Sequence, residues 1–247
     1  MPVTTDTSAG VATVTFSTPA HNSLPARELA DLAAAIGDAG QDRSVRVIVL
    51  RSGGERTFCA GASFEELRAV ETEAEGLEFF TGFVRVINAM RTSPKLIVGR
   101  VQGKAVGGGV GLVAACDIAY ATRYASVRLS ELAIGIGPFV IAPAVERKVG
   151  LAAYSEMALR PSEWFEAAYA KTRGLYTEVY ETTDVMGEAV LAKARELAGY
   201  HAEALAEFKR SLWRGTEDWD TLLAERAAVS GRLVTRAPAS EALARLS

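Results

Sequence analysis

Histidine and cysteine are nearly missing from this chain of 247 residues, which has two of each: His21 and His201, Cys59 and Cys116. Two cysteines so far apart build neither a disulfide framework nor a four-ligand zinc site. Neither histidine sits in a recognisable triad or metal motif, so no bound metal is expected. Charge of one sign is lacking too. The balance is 27 Lys+Arg against 30 Asp+Glu, a net −3, and without a basic excess nucleic-acid binding has little support. Long apolar runs are also missing. Leu112–Ala115 and Ile118–Ala121 are separated by Asp117 and fall far short of the ~20 residues of a membrane span. The first residues, Met1 to Asp6, carry no charged segment followed by an apolar stretch, so a signal peptide is not expected and a cytoplasmic protein is. Chemistry must rest on carboxylates, backbone and loops.

What is present begins with enough apolar material, 49%, for one large domain or one domain with an appendage. Glycine is the second feature. There are 22 in the chain, five of them between positions 103 and 111. That share is about 9%, against a usual ~7%. Val11–Phe16, Val45–Arg51, Lys95–Val101 and Ile118–Thr122 read as strands, the second as a buried one ending at Ser52-Gly53-Gly54. Helical spacing predicts helices over 25–36, with Leu29, Leu32, Ala33 and Ile36 inward, and over 75–91, with Leu77, Phe80, Val84, Ile87 and Met90 inward. A small-residue helix is predicted at Leu112–Cys116. Alternating strands and helices argue for an α/β fold with parallel strands. Beyond about 185 the pattern turns helical, over Glu188–Phe208 and Trp219–Ala228, so we expect a core over 1–185 and a helical region over 186–247.

Two segments follow strands and are rich in small residues. In Gln102-Gly103-Lys104-Ala105-Val106-Gly107-Gly108-Gly109-Val110-Gly111 the glycines let backbone approach a ligand and aim free N–H groups at a helix start. The run fits neither the dinucleotide nor the P-loop pattern, and tight strand–helix packing alone would also account for it. Phe58-Cys59-Ala60-Gly61-Ala62-Ser63 could expose a second N–H. Two such groups converging on one oxygen form an oxyanion hole, which favours a carbonyl as it becomes an enolate.

Taken together, these blocks resemble a family. Phe58-Cys59-Ala60-Gly61-Ala62 is similar to F-x-A-G-A-D, with Ser63 for the closing Asp. Gln102-Gly103-x-Ala105-x-Gly107-Gly108-Gly109 followed by Cys116-Asp117 is similar to N-G-x-A-x-G-G-G…C-D. The chain resembles the crotonase superfamily, the enoyl-CoA hydratases and isomerases, over about residues 10–200. The resemblance implies a spiral of ββα units with a C-terminal helical trimerisation region, in homotrimers or dimers of trimers. It implies an acyl-CoA thioester substrate, with no cofactor beyond the CoA the substrate carries. The thioester oxygen would meet the N–H groups of Ala62 and Gly108, and the CoA adenine the backbone at Ala60 and Ala62. Phe64, Gly107 and Phe139 join the expected substrate-binding set.

The later of the family's two glutamates aligns with Glu131, among apolar neighbours that would raise its pKa towards acid/base use. The earlier one aligns with Gly111, which carries no acid. Phe139 replaces a family glycine near the reacting carbons, implying a tighter, more apolar site. Ser63 and Glu66 have capping-box spacing, and Asp117, Cys59 and Cys116 read as structural. The closing E-G-x-x-A-F pattern of the family is absent from 231–247. The reaction expected first is hydration of a 2-enoyl-CoA to a 3-hydroxyacyl-CoA with Glu131 as acid/base. A Δ3,Δ2-enoyl-CoA isomerase using Glu131 alone stands beside it, then decarboxylation, then a non-catalytic acyl-CoA-binding relative.

Overall fold

A computed structural model describes residues 2–244; the expected helical region therefore extends, at 245–247, beyond the described residues. The chain opens with a hairpin, β1 (Val3–Ser8) and β2 (Val11–Phe16), turned by Ala9 and Gly10, both at positive φ, as a two-residue hairpin loop requires. Helix α1 (Ala26–Gln41) leads to β3 (Val47–Ser52), the short β4 (Thr57–Cys59), α2 (Phe64–Arg68) and α3 (Glu73–Thr92). The same long strand, short strand and helix recur twice. First come β5 (Leu96–Val101), β6 (Lys104–Val106) and α4 (Gly108–Ala115). Then come β7 (Ile118–Thr122), β8 (Val127–Arg128), a 3-10 turn over Glu131–Ile134 and α5 (Ala142–Leu159). After α6 (Ala167–Thr172) and β9 (Glu178–Tyr180), the chain ends in α7 (Thr183–Ala198), α8 (Ala202–Leu212), α9 (Trp219–Val234) and α10 (Ala237–Ala244).

Long strands stack in one sheet, β1-β2-β3-β5-β7-β9, parallel except for β1; short strands stack in a second, β4-β6-β8, all parallel. This is the expected spiral of ββα units. The central strands of the large sheet are buried on both faces. Ile48 and Leu50 of β3 belong to the main core, while Val47 and Val49 pack against Met186 and Val190 of α7. Two covered faces explain why β3 reads as a continuous apolar run.

The C-terminal helices are tied to this frame. Asp117 accepts from the Ile97 N–H at 2.7 Å and from Trp213 Nε1 at 2.8 Å, and pairs with Lys209 of α8 at 3.1 Å. Lys209 also donates to the carbonyls of Met90 and Lys95, at 2.8 Å each. Further on, α9 crosses α3 with backbones touching: a Cβ on Gly76 would fall 2.6 Å from the Gly231 carbonyl oxygen.

Some expected details differ. The small-residue helix begins at Gly108 rather than Leu112. The 188–208 run is two helices, parted after Ala198, with His201 capping the second as its Nδ1 accepts from the Ala204 N–H. Leu77 is exposed, and α3 turns Phe79, Phe83 and Val86 inward with Val84, Ile87 and Met90, because the α1 and α9 contacts rotate its buried stripe. The position between 185 and 186 falls inside α7, a single helix packed on the sheet.

Candidate active site

The site lies where the short strands end. The turn before α1 braces one wall: Asn22, at φ 57°, donates from Nδ2 to the carbonyls of Gly53 and Thr57, each at 2.8 Å. Leu24 N–H then donates to Gly61 O at 2.8 Å and Ser63 N–H to Leu24 O at 3.2 Å. These bonds use the backbone on both sides of Ala62 and leave the Ala62 N–H without an acceptor among the described residues. Gly61 sits at φ +91°, and a Cβ there would lie 3.1 Å from Val106 O, so this turn and the glycine cluster meet closely.

From the other side, Gly107 caps α4 at φ 50°, ψ −118°, a conformation open to glycine alone. Its N–H donates to Arg128 O at 2.9 Å, which leaves Gly108 as the first helical residue with a free N–H. The other glycines answer to close approach. A Cβ on Gly103 would meet Arg56 O at 2.3 Å, on Gly108 the Phe83 ring at 2.3 Å, and on Gly109 Cys59 O at 2.6 Å. The cluster is thus both a packing device and an exposed edge of backbone donors.

Glu131 opens the 3-10 turn that faces this edge. Its Oε1 would lie 2.9 Å from a Cβ on Gly107, so any side chain at 107 would collide with it. Its Oε2 is enclosed and has no hydrogen-bond partner among the described residues. Burial pushes the carboxyl up from 4.5 to about 7, opposed weakly by its own backbone N–H. The group can therefore take up or release a proton near neutrality.

A cavity of about 70 Å³ joins these parts. It is lined by Ala60, Ala62, Phe64, Gly107, Gly108, Glu131 and Phe139, so all the residues expected from the sequence share one space. Phe80, Phe83, Ile141 and Ser230 line it as well; Ile141 lies in the same segment as Phe139, whereas Phe80, Phe83 and Ser230 sit in no motif and arrive there through helix packing. Gly111 does not open onto vacant space. A Cβ there would lie 2.4 Å from Ile141 Cγ2, so aliphatic carbon fills the direction in which a second acid would project. Phe139 folds its ring over Gly137, where a Cβ would come within 2.5 Å of Cζ, and makes that end apolar as expected.

Other candidates resolve differently. Ser63 caps α2, accepting from Glu66 N–H at 3.3 Å, but the reciprocal arm of the capping box is absent. Glu66 instead accepts from Ala26 N–H at 2.8 Å and so caps α1, because the bracing turn brings that helix start within reach. Cys59 and Cys116 are buried, their thiols pushed up to about 12 by desolvation, which leaves them protonated packing groups. His21 lies at φ 55° in the bracing turn, its carbonyl accepting from Ala60 N–H at 3.2 Å. Among the described residues no helix is long and apolar enough to cross a membrane.

The chain is similar to known proteins in sequence and in fold. The profile of the enoyl-CoA hydratase/isomerase family matches residues 6–241. A short-chain-enoyl-CoA hydratase of Clostridium acetobutylicum is 29% identical over 90% of this chain and 85% of its own. The crystal structure of an enoyl-CoA hydratase from Mycobacterium avium subsp. paratuberculosis K-10 superposes with a TM-score of 0.87 at 28% identity, covering 98% of each chain. That of an enoyl-CoA hydratase from Bacillus halodurans reaches 0.92 at 23% identity, covering 99% of this chain and 100% of that one, a likeness of fold.

Proposed function

The chain belongs to the enoyl-CoA hydratase/isomerase family, and from that membership we propose that it adds water across the C2–C3 double bond of a 2-enoyl-CoA. The observation that carries this reading is an enclosed carboxyl, Glu131, lining one cavity together with two backbone N–H groups, of Ala62 and Gly108, that have no acceptor among the described residues. The thioester oxygen accepts from Ala62 and Gly108, with the positive end of α4 behind them. Backbone at Ala60 and Ala62 meets the CoA adenine, and Phe64, Gly107 and Phe139 line the acyl path.

Ionised Glu131 takes a proton from water as the water oxygen bonds to C3. The C2–C3 electrons move towards C2 and the carbonyl, giving an enolate whose oxygen the two N–H groups hold. Glu131 then returns its proton to C2, and the product is a 3-hydroxyacyl-CoA. Desolvation is what suits one group to both steps, since a carboxyl titrating near 7 gives and takes protons with comparable ease. The scheme needs no cofactor beyond the CoA on the substrate. We place the protein in the cytoplasm as a homotrimer or dimer of trimers, which sedimentation would test.

One observation favours a second reading. With Ile141 filling the direction from Gly111, no second acid lines the cavity among the described residues, and Glu131 alone shuttling a proton between C2 and C4 would make the protein a Δ3,Δ2-enoyl-CoA isomerase. Purified enzyme assayed with crotonyl-CoA and with a 3-enoyl-CoA separates the two. Hydration of crotonyl-CoA is expected, with kcat/KM rising towards a plateau above pH ~7 as Glu131 ionises. Rapid 3-to-2 conversion without hydration would assign isomerisation instead. Binding without turnover of either would assign a non-catalytic role. Glu131→Gln is expected to lower kcat by about 10²–10⁴.

A further inference from the structure

Ser230 is a polar group of the cavity that the hydration scheme does not use. It sits on α9, 1% exposed, and lines the same cavity as Glu131. Its hydroxyl has no hydrogen-bond partner among the described residues. A helical serine usually settles this by bonding to the carbonyl one turn back; here that bond is not made, and a buried hydroxyl left alone is unfavourable.

Its place in the cavity follows from the helix crossing. The neighbouring Gly231 touches Gly76 of α3, where a Cβ would fall 2.6 Å from the Gly231 carbonyl oxygen. Phe83, two turns further along α3, packs its ring on Gly108, where a Cβ would fall 2.3 Å from it. Ser230 therefore reaches the cavity from the α3–α9 crossing, on a wall built by helices.

We propose that Ser230 recognises a neutral oxygen substituent, a hydroxyl or ketone, on a short acyl group. This rests on the reading above that places the thioester at Ala62 and Gly108. An unsubstituted alkyl end leaves the hydroxyl unpaired, which a polar recognition point discriminates against. A distal carboxylate is disfavoured for a different reason. Among the described residues no Lys, Arg or His lines the cavity, so the charge would be buried uncompensated.

Calorimetry with the saturated thioesters butyryl-CoA, 4-hydroxybutyryl-CoA and succinyl-CoA tests this without turnover. Wild-type protein is expected to bind 4-hydroxybutyryl-CoA about tenfold more tightly than butyryl-CoA, and in Ser230→Ala that ratio falls to about one. Alanine is the better helix former, so the variant folds, and the ratio is internal to each protein. Equal affinities in the wild type, or the same preference in both proteins, overturn the subsite alone. Tighter binding of succinyl-CoA than of 4-hydroxybutyryl-CoA overturns the neutral-oxygen assignment. If none of the thioesters binds, the acyl-CoA reading fails along with the subsite.

Discussion

Replacing Glu131 by Gln should make the free protein more stable, by an amount that depends on pH in a defined direction. Burial holds the folded carboxyl at about 7 against an ordinary 4.5, whereas the unfolded chain releases that proton near 4.5. Between those values the native state binds more protons than the unfolded state, so wild-type stability falls as pH rises. The loss is absent below the unfolded value and complete above the folded one. At 1.36 kcal/mol per pH unit, the interval amounts to about 3 kcal/mol. Gln keeps the shape of the protonated acid and has no proton to lose. The stability difference between variant and wild type should therefore grow from near its low-pH baseline at pH 4 to about 3 kcal/mol above it at pH 8. Urea unfolding of both proteins across that range measures it, and groups common to both cancel. A difference that stays flat with pH, or shrinks, would refute the claim that Glu131 is held in a desolvated site. The same substitution should abolish most activity, the trade of stability for function expected where a charged group is kept dry.

Three further outcomes follow from the packing. Gly111→Ala gains about 1 kcal/mol in helix propensity but drives a methyl into Ile141, an overpacking that costs about 1–3 kcal/mol; combined with Ile141→Ala, the two losses should be less than additive in urea unfolding, and strict additivity would mean the pair do not share that space. Lys209→Met leaves Asp117 buried without its cation, so unfolding free energy should drop by about 3–5 kcal/mol, with a fall under about 1 kcal/mol contradicting the anchoring role. Ser230→Ala removes an unpartnered hydroxyl and should stabilise the free protein by about 1 kcal/mol, seen as a thermal midpoint higher by about 2–4 °C; a lower midpoint would mean that the hydroxyl has a partner.

Local chemistry carried much of this protein. Strands with two buried faces, such as β3, announce themselves as unbroken β-branched runs, since each residue must be apolar whichever way it points. The glycine cluster and the Phe58–Ser63 segment were legible for a related reason: backbone that must approach other backbone or a ligand tolerates few residue types, so the requirement is written into adjacent positions. Glu131 was legible through its apolar neighbours and its family spacing. Helix α3 was found as a helix, yet its buried side was misjudged at Leu77, because rotation about the axis is set by α1 and α9 rather than by α3's own pattern. The β1 strand, polar at five of its six positions and paired along one edge, carries no apolar alternation to mark it.

The cavity's far wall was out of reach for a deeper reason. Ile141 opposite Gly111, Phe83 against Gly108, and Ser230 near the crossing of Gly76 and Gly231 are meetings between residues distant in the chain. Such contacts depend on how closely helices approach and on which side chain fills the gap, and close-packed interiors settle that by mutual fit rather than by any one residue's preference. That an acid and two backbone donors would face a common space could be read from short segments. That a second acid's direction is occupied by carbon, and that an unpartnered hydroxyl lines the same cavity, follows from how α3, α5 and α9 fold onto the site.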